Sequence, residues 1–175
     1  MKRDFTVWQI IGFGFTSICG TFLHFLYDFT NKSVWSAPFS GVNESTWEHM
    51  KLLFFPLFIY ALIQSRFFKN FKNFWCIKLT GITTGLVMIP VLFYTYNGAI
   101  GKSPDWLNIA FFFISACIAF LLETWLFKNK SLECKTPHIA FLLTLLVGAL
   151  FVAFTFYTPK LPFFQDPLTG TYGIA

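Results

Sequence analysis

Two histidines and several carboxylates lie along this chain at spacings suited to holding a metal ion or a small polar ligand. His24 and Asp28 are four residues apart, which on a helix places them on one face a turn apart. Glu48 and His49 are adjacent, so on a helix they diverge by about 100° and one of them reaches a shared point more readily than both. Imidazole nitrogens and carboxylate oxygens are donors that zinc and similar divalent ions accept. His24, Asp28, Glu48 and His49 are therefore candidate ligands for a divalent metal such as zinc. Glu44, Tyr94, Tyr96 and Asp166 join them as candidate ligand-binding residues. No His-Glu-x-x-His pair and no paired Cys-x-x-Cys spacing is present, so the pattern names no particular metal enzyme.

Several of these residues also have purely structural readings. Ser45 followed three residues later by Glu48 is a capping box, in which each side chain satisfies the other's backbone N–H. Glu44 would gain from the positive end of the same helix. His49 has no such explanation, because a neutral imidazole gains little there. Trp47 suits an interfacial aromatic belt, and Lys51 is placed to snorkel toward headgroups.

The elements that must position these residues are membrane helices. Only 12% of the 175 residues are charged while 55% are hydrophobic, against roughly 25% charged in a soluble domain. A water-soluble fold of this length could not hide so much apolar surface. A bilayer core of ~30 Å needs ~20 apolar residues of helix, and five stretches supply them: 5–27, 47–65, 79–101, 106–127 and 139–158. The expected fold is an all-α integral membrane bundle over 1–158, with a turn-rich tail over 159–175 that packs on the outer face. The first stretch follows Met1-Lys2-Arg3 but exceeds the 7–15 residues of a signal core and has no small-x-small cleavage site, so it reads as an anchor.

Basic residues orient the bundle, because cytoplasmic loops hold the excess of Lys and Arg. Alternation puts Lys2, Arg3, Arg66, Lys69, Lys72, Lys78, Lys128, Lys130 and Lys135 on one side, and Lys32, Lys51, Lys102 and Lys160 on the other. The N-terminus is expected inside and the tail outside. The net charge of +5 is thus a topology signal, and no basic stripe interleaved with aromatics suggests nucleic acid. On this orientation His24, His49 and the carboxylates of Asp28, Glu44, Glu48, Asp105 and Asp166 share the outer side. Cys76 and Cys134 fall on the inner side and Cys19 and Cys117 mid-span, so no structural disulfide is expected. Glu123 and Glu133 are expected partners for nearby inner lysines.

Gly12, Thr16, Gly20, His24 and Asp28 recur every four residues. Small residues at that spacing let helices approach closely in lipid, and an ionisable group in the membrane region faces the bundle interior. Pro56 and Pro90 fall inside spans and loosen them. Asp166-Pro167-Leu168-Thr169-Gly170 reads as a turn.

The strings His24-Phe25-Leu26-Tyr27-Asp28, Asn43-Glu44-Ser45-x-Trp47-Glu48-His49-x-Lys51-Leu52, Tyr94-Thr95-Tyr96-x-Gly98 and Pro162-x-Phe164-x-Asp166-Pro167-x-Thr169-Gly170-x-Tyr172-Gly173-Ile174 together resemble a family of small bacterial multi-spanning membrane proteins catalogued as a domain of unknown function. The resemblance covers nearly the whole chain, and its most specific part is Asn-Glu-Ser-x-Trp-Glu-His. It implies a bacterial plasma-membrane protein and implies no activity; Lys160 stands where a second proline would be expected.

Three functions are consistent with these residues. The first is a site at the outer-leaflet end of the bundle that binds a small polar ligand or ion, as a transport component would. The second is a membrane-embedded metal-dependent hydrolase. The third is a structural or accessory subunit, partnered by lipid and other membrane subunits, in which the polar residues only fix packing.

Overall fold

A computed structural model describes residues 2–129 and 132–174, with the side chains of residues 2–4 and 105 also left aside. Lys130 and the side chains of Lys2, Arg3 and Asp105, all used in the charge argument, lie outside the described residues, as does Ala175. Five helices follow one another: α1 (Lys2–Phe29), α2 (Thr46–Phe67), α3 (Phe74–Ala99), α4 (Asp105–Asn129) and α5 (Pro137–Phe156). A short 3-10 turn, Pro162–Phe164, sits in the tail. All five helices are long and apolar enough to cross a membrane. The shortest, α5, has 20 residues, which is about 30 Å of rise. This is an all-helical, multi-spanning membrane protein.

Side chains such as Ile10, Ile18, Leu121, Leu142 and Leu146 point outward and are exposed, the arrangement lipid favours. α2 is central and packs against each of the other four helices. It is the least apolar of the five and the most deeply buried, whereas α5 is the most apolar and leaves most of its surface to lipid. The physical reason is that α2 carries Glu48, Lys51 and Gln64, all buried. In a bilayer such groups need protein partners.

The glycine stripe of α1 makes the close contacts expected of it. A Cβ at Gly12 would collide with the ring of Tyr60 on α2 and lie 2.6 Å from Phe120 on α4, and one at Gly20 would collide with Phe112 on α4. Gly14, off the stripe, meets nothing within 4 Å.

Three local expectations are overturned. α3 begins at Phe74 rather than 79, which brings Lys78 inside the helix, 1% exposed, with its ammonium 2.6 Å from Glu123 on α4. That partner is the one expected; the loop location is not. Lys51 does not snorkel: it is fully buried. Trp47 packs against Phe151 and Phe164, at 4.5 and 4.8 Å between ring centroids. Finally, a disulfide joins Cys76 to Cys134, where none was expected. Residues far apart in sequence meet there because the Asn73 side chain clips the α4–α5 loop, donating to Leu132 O at 2.6 Å and accepting from Cys134 N at 3.2 Å.

Candidate functional site

α1 ends and α2 begins at the same end of the bundle, so His24 in the last turns of one helix comes to face His49 in the first turn of the other. Their ring centroids are 5.9 Å apart. The segment between the helices folds back over this end instead of leaving it. Ser40 fixes the segment to α1 by donating to Leu23 O at 2.7 Å and accepting from Tyr27 N at 2.8 Å. Lys51 fixes it to α2 by donating to Ala37 O at 2.8 Å. So pinned, the segment delivers Glu44 between the two imidazoles. Its carboxylate oxygens lie 3.8 Å from His24 Nε2 and 3.5 Å from His49 Nε2.

His24, Glu44 and His49 each offer a donor atom, and the three atoms lie within 4.8 Å of one another. Tetrahedral zinc with bonds of ~2.0–2.1 Å needs donors ~3.4 Å apart, so closing on an ion asks for shifts of about an ångström in flexible side chains. His49 is already oriented for ligation. Its Nδ1 lies 3.0 Å from Ser45 O; a carbonyl only accepts, so Nδ1 carries the proton and Nε2 presents its lone pair to the cluster. The three side chains are partly buried, with His49 at 20% and Glu44 at 41% exposure.

The sequence-level ligand set included Asp28 and Glu48 beside the histidines, and the structure places both elsewhere. Asp28 is exposed near the end of α1 and forms no ion pair among the described residues. Glu48 points to the other side of α2, as the 100° divergence from His49 requires. Its carboxylate is 2.6 Å from Lys51 Nζ and accepts from Val42 N at 3.1 Å. Lys51 also donates to Thr155 Oγ1 of α5 at 2.9 Å, so this pair joins α2, α5 and the folded-back segment. The capping box is accordingly half made. Ser45 Oγ accepts from Glu48 N at 3.3 Å, but Ser45 N donates to Asn43 Oδ1 at 2.9 Å instead of to Glu48.

Of the other candidates, Tyr94 is exposed with its hydroxyl 3.5 Å from Pro162 O, and Tyr96 stands edge-on to Phe111. Asp166 is buried but serves its own turn, accepting from Leu168 N at 2.8 Å. That turn places Leu168 at the site, while Asn43 Nδ2 holds the tail by donating to Gly173 O at 3.0 Å.

A cleft of about 330 Å³ opens beside the triad, walled by Gly20, Leu52, Asn108, Ile109, Phe112 and Leu168. Such a volume is within the range of small-ligand sites. A smaller lobe, about 70 Å³, continues from Glu44 and His49 between α3 and α4 toward Phe93, Asn97 and Lys102. Sequence reasoning did not single out Asn108. The available signal was an amide directly before the apolar run 109–114.

No curated protein and no solved structure matches the chain. The model of a family of unknown function, DUF6512, matches residues 1–174, and the chain belongs to that family.

Proposed function

We propose that the end of the bundle carrying His24, Glu44 and His49 binds a divalent transition-metal ion and, through it, a small polar ligand entering from the extracytoplasmic side, as a transport or capture component would. The observation that carries this reading is the convergence of two imidazoles and one carboxylate from three chain segments at the wall of a cleft. Such a set leaves a coordination position open, which a ligand or water takes. The orientation rests on the distribution of Lys and Arg and on the bacterial plasma-membrane setting that the sequence resemblance implies.

A second reading, metal-assisted hydrolysis, is favoured by the same donor set, since two His and one Glu also serve catalytic zinc. Among the described residues, no carboxylate besides Glu44, itself a donor, lines the cleft to act as base, and Glu48 is committed to Lys51 and Val42. Binding is therefore the better supported function.

Elemental analysis of the detergent-purified chain, equilibrated with micromolar zinc and desalted, tests the proposal. One zinc per chain is expected, falling at least tenfold in His24→Ala and His49→Ala while both variants stay monodisperse with little change in melting temperature. A role in packing alone predicts the reverse: melting falls and the wild type holds no zinc.

A further inference from the structure

Beyond the triad, the cleft contains a donor array that a bare metal site would not need. Asn97 Oδ1 accepts from Ser103 N at 2.9 Å, and Asn97 Nδ2 donates to Ser103 Oγ at 3.2 Å. Ser103 Oγ lies 2.7 Å from Asn108 Oδ1. The serine hydroxyl has one proton, and with Asn97 already donating to it, that proton goes to Asn108. The relay fixes the orientation of the Asn108 amide: its oxygen is occupied, and its two N–H donors have no hydrogen-bond partner among the described residues. Asn108 lines both the main cleft and its smaller lobe. Lys102 also lines the smaller lobe, while Ile89, Phe93, Phe111 and Phe112 give it apolar walls.

Donors, a lysine and a metal position all call for negative charge, and the walls call for hydrocarbon. We propose that the cleft takes an anionic amphiphile, with a carboxylate or phosphate head between the triad and Asn108 and an apolar tail along Leu52, Ile109 and Phe112 of the main cleft. The inference rests on the metal reading for one of its two head-group contacts. Asn108 and Lys102 supply the other.

The test uses probes with one tail and three heads: decanoate, decyl phosphate and decanol. Each is radiolabelled and equilibrated with zinc-treated protein in phosphatidylcholine nanodiscs, and retention on empty nanodiscs is subtracted. Wild type is expected to retain one anion per chain and decanol at least tenfold more weakly, and the better anion identifies the head. Asn108→Leu should weaken anion retention at least tenfold with zinc content unchanged, and Lys102→Gln should weaken it severalfold and flatten its salt dependence. Decanol retained as well as the anions, or anions retained equally by Asn108→Leu, would overturn the inference while leaving the metal reading intact. Anion retention that needs Asn108 in a chain without zinc would sink the metal reading and sustain the head-group assignment. Loss of both ends both.

Discussion

Lys78 Nζ lies 2.6 Å from Glu123 Oε2, and the pair joins α3 to α4 at the end of the bundle opposite His24. Gln9 Nε2 of α1 donates to the same carboxylate oxygen at 3.0 Å, and Gln64 Nε2 of α2 donates to Gln9 Oε1 at 3.3 Å. Four helices thus meet at one polar network. The rings of Tyr60, Phe74 and Phe120 surround the ammonium at 5.7–5.8 Å. Gly81 makes room for Glu123, whose Cγ a Cβ at that position would strike.

Removing either partner leaves a charge in a low-dielectric interior. Glu123→Leu and Lys78→Met should each destabilise the bundle by about 3–5 kcal/mol, whereas the double variant should recover most of the loss. Denaturant unfolding in a fixed micelle measures this. Equal losses that simply add would show that the pair is not coupled.

Lys51 holds the segment that carries Glu44. Lys51→Met frees Ala37 O and leaves Glu48 buried without its cation, so the segment should loosen. The expected result is a severalfold drop in zinc affinity, because Glu44 is no longer held in place between the imidazoles. Faster proteolysis between residues 30 and 45 should accompany it. Unchanged zinc affinity would mean that Glu44 is positioned without Lys51.

Close approach at the α1 stripe predicts a positional contrast. Gly20→Leu drives a side chain into Phe112 and should cost about 1–3 kcal/mol or more. Gly14→Leu, which meets open space, should leave melting in detergent nearly unchanged.

Protons compete with metal for imidazole nitrogen. Zinc bound at His24 and His49 should be released as pH is lowered, with proton uptake on release, and zinc retention in His24→Ala should show a shallower pH dependence. Measuring bound zinc by equilibrium dialysis across pH decides this. Retention independent of pH would exclude imidazole ligation.

The disulfide tests the orientation. On the proposed orientation the Cys76–Cys134 end faces the cytoplasm, where glutathione keeps thiols reduced. The expected outcome is that both cysteines react with a membrane-permeant maleimide in intact, rapidly quenched cells and become unreactive after aerobic purification. Protection in living cells, with a reporter at Ala175 active in the cytosol, would invert the bundle.

The sequence by itself determined the number and type of helices, because a run of ~20 apolar residues has few alternatives to a helix in lipid. It also determined that Gly12 and Gly20 face neighbours and that Glu123 pairs with an adjacent lysine, since four-residue periodicity and scarce charges leave little choice. It brought His24, Glu44 and His49 forward as candidates, but the grouping of Glu44 with the two imidazoles was decided only in three dimensions. Glu44 lies on a non-helical segment with no period to read, and its position depends on Ser40 and Lys51 pinning that segment. Glu48 turned away as its offset of about 100° from His49 requires, and what only the fold decided was that it would be buried with Lys51. Tertiary packing likewise decided the meeting of Cys76 with Cys134 and the direction of the Asn108 amide, because each is set by contacts between residues remote in the chain or by a relay that only the folded loop completes.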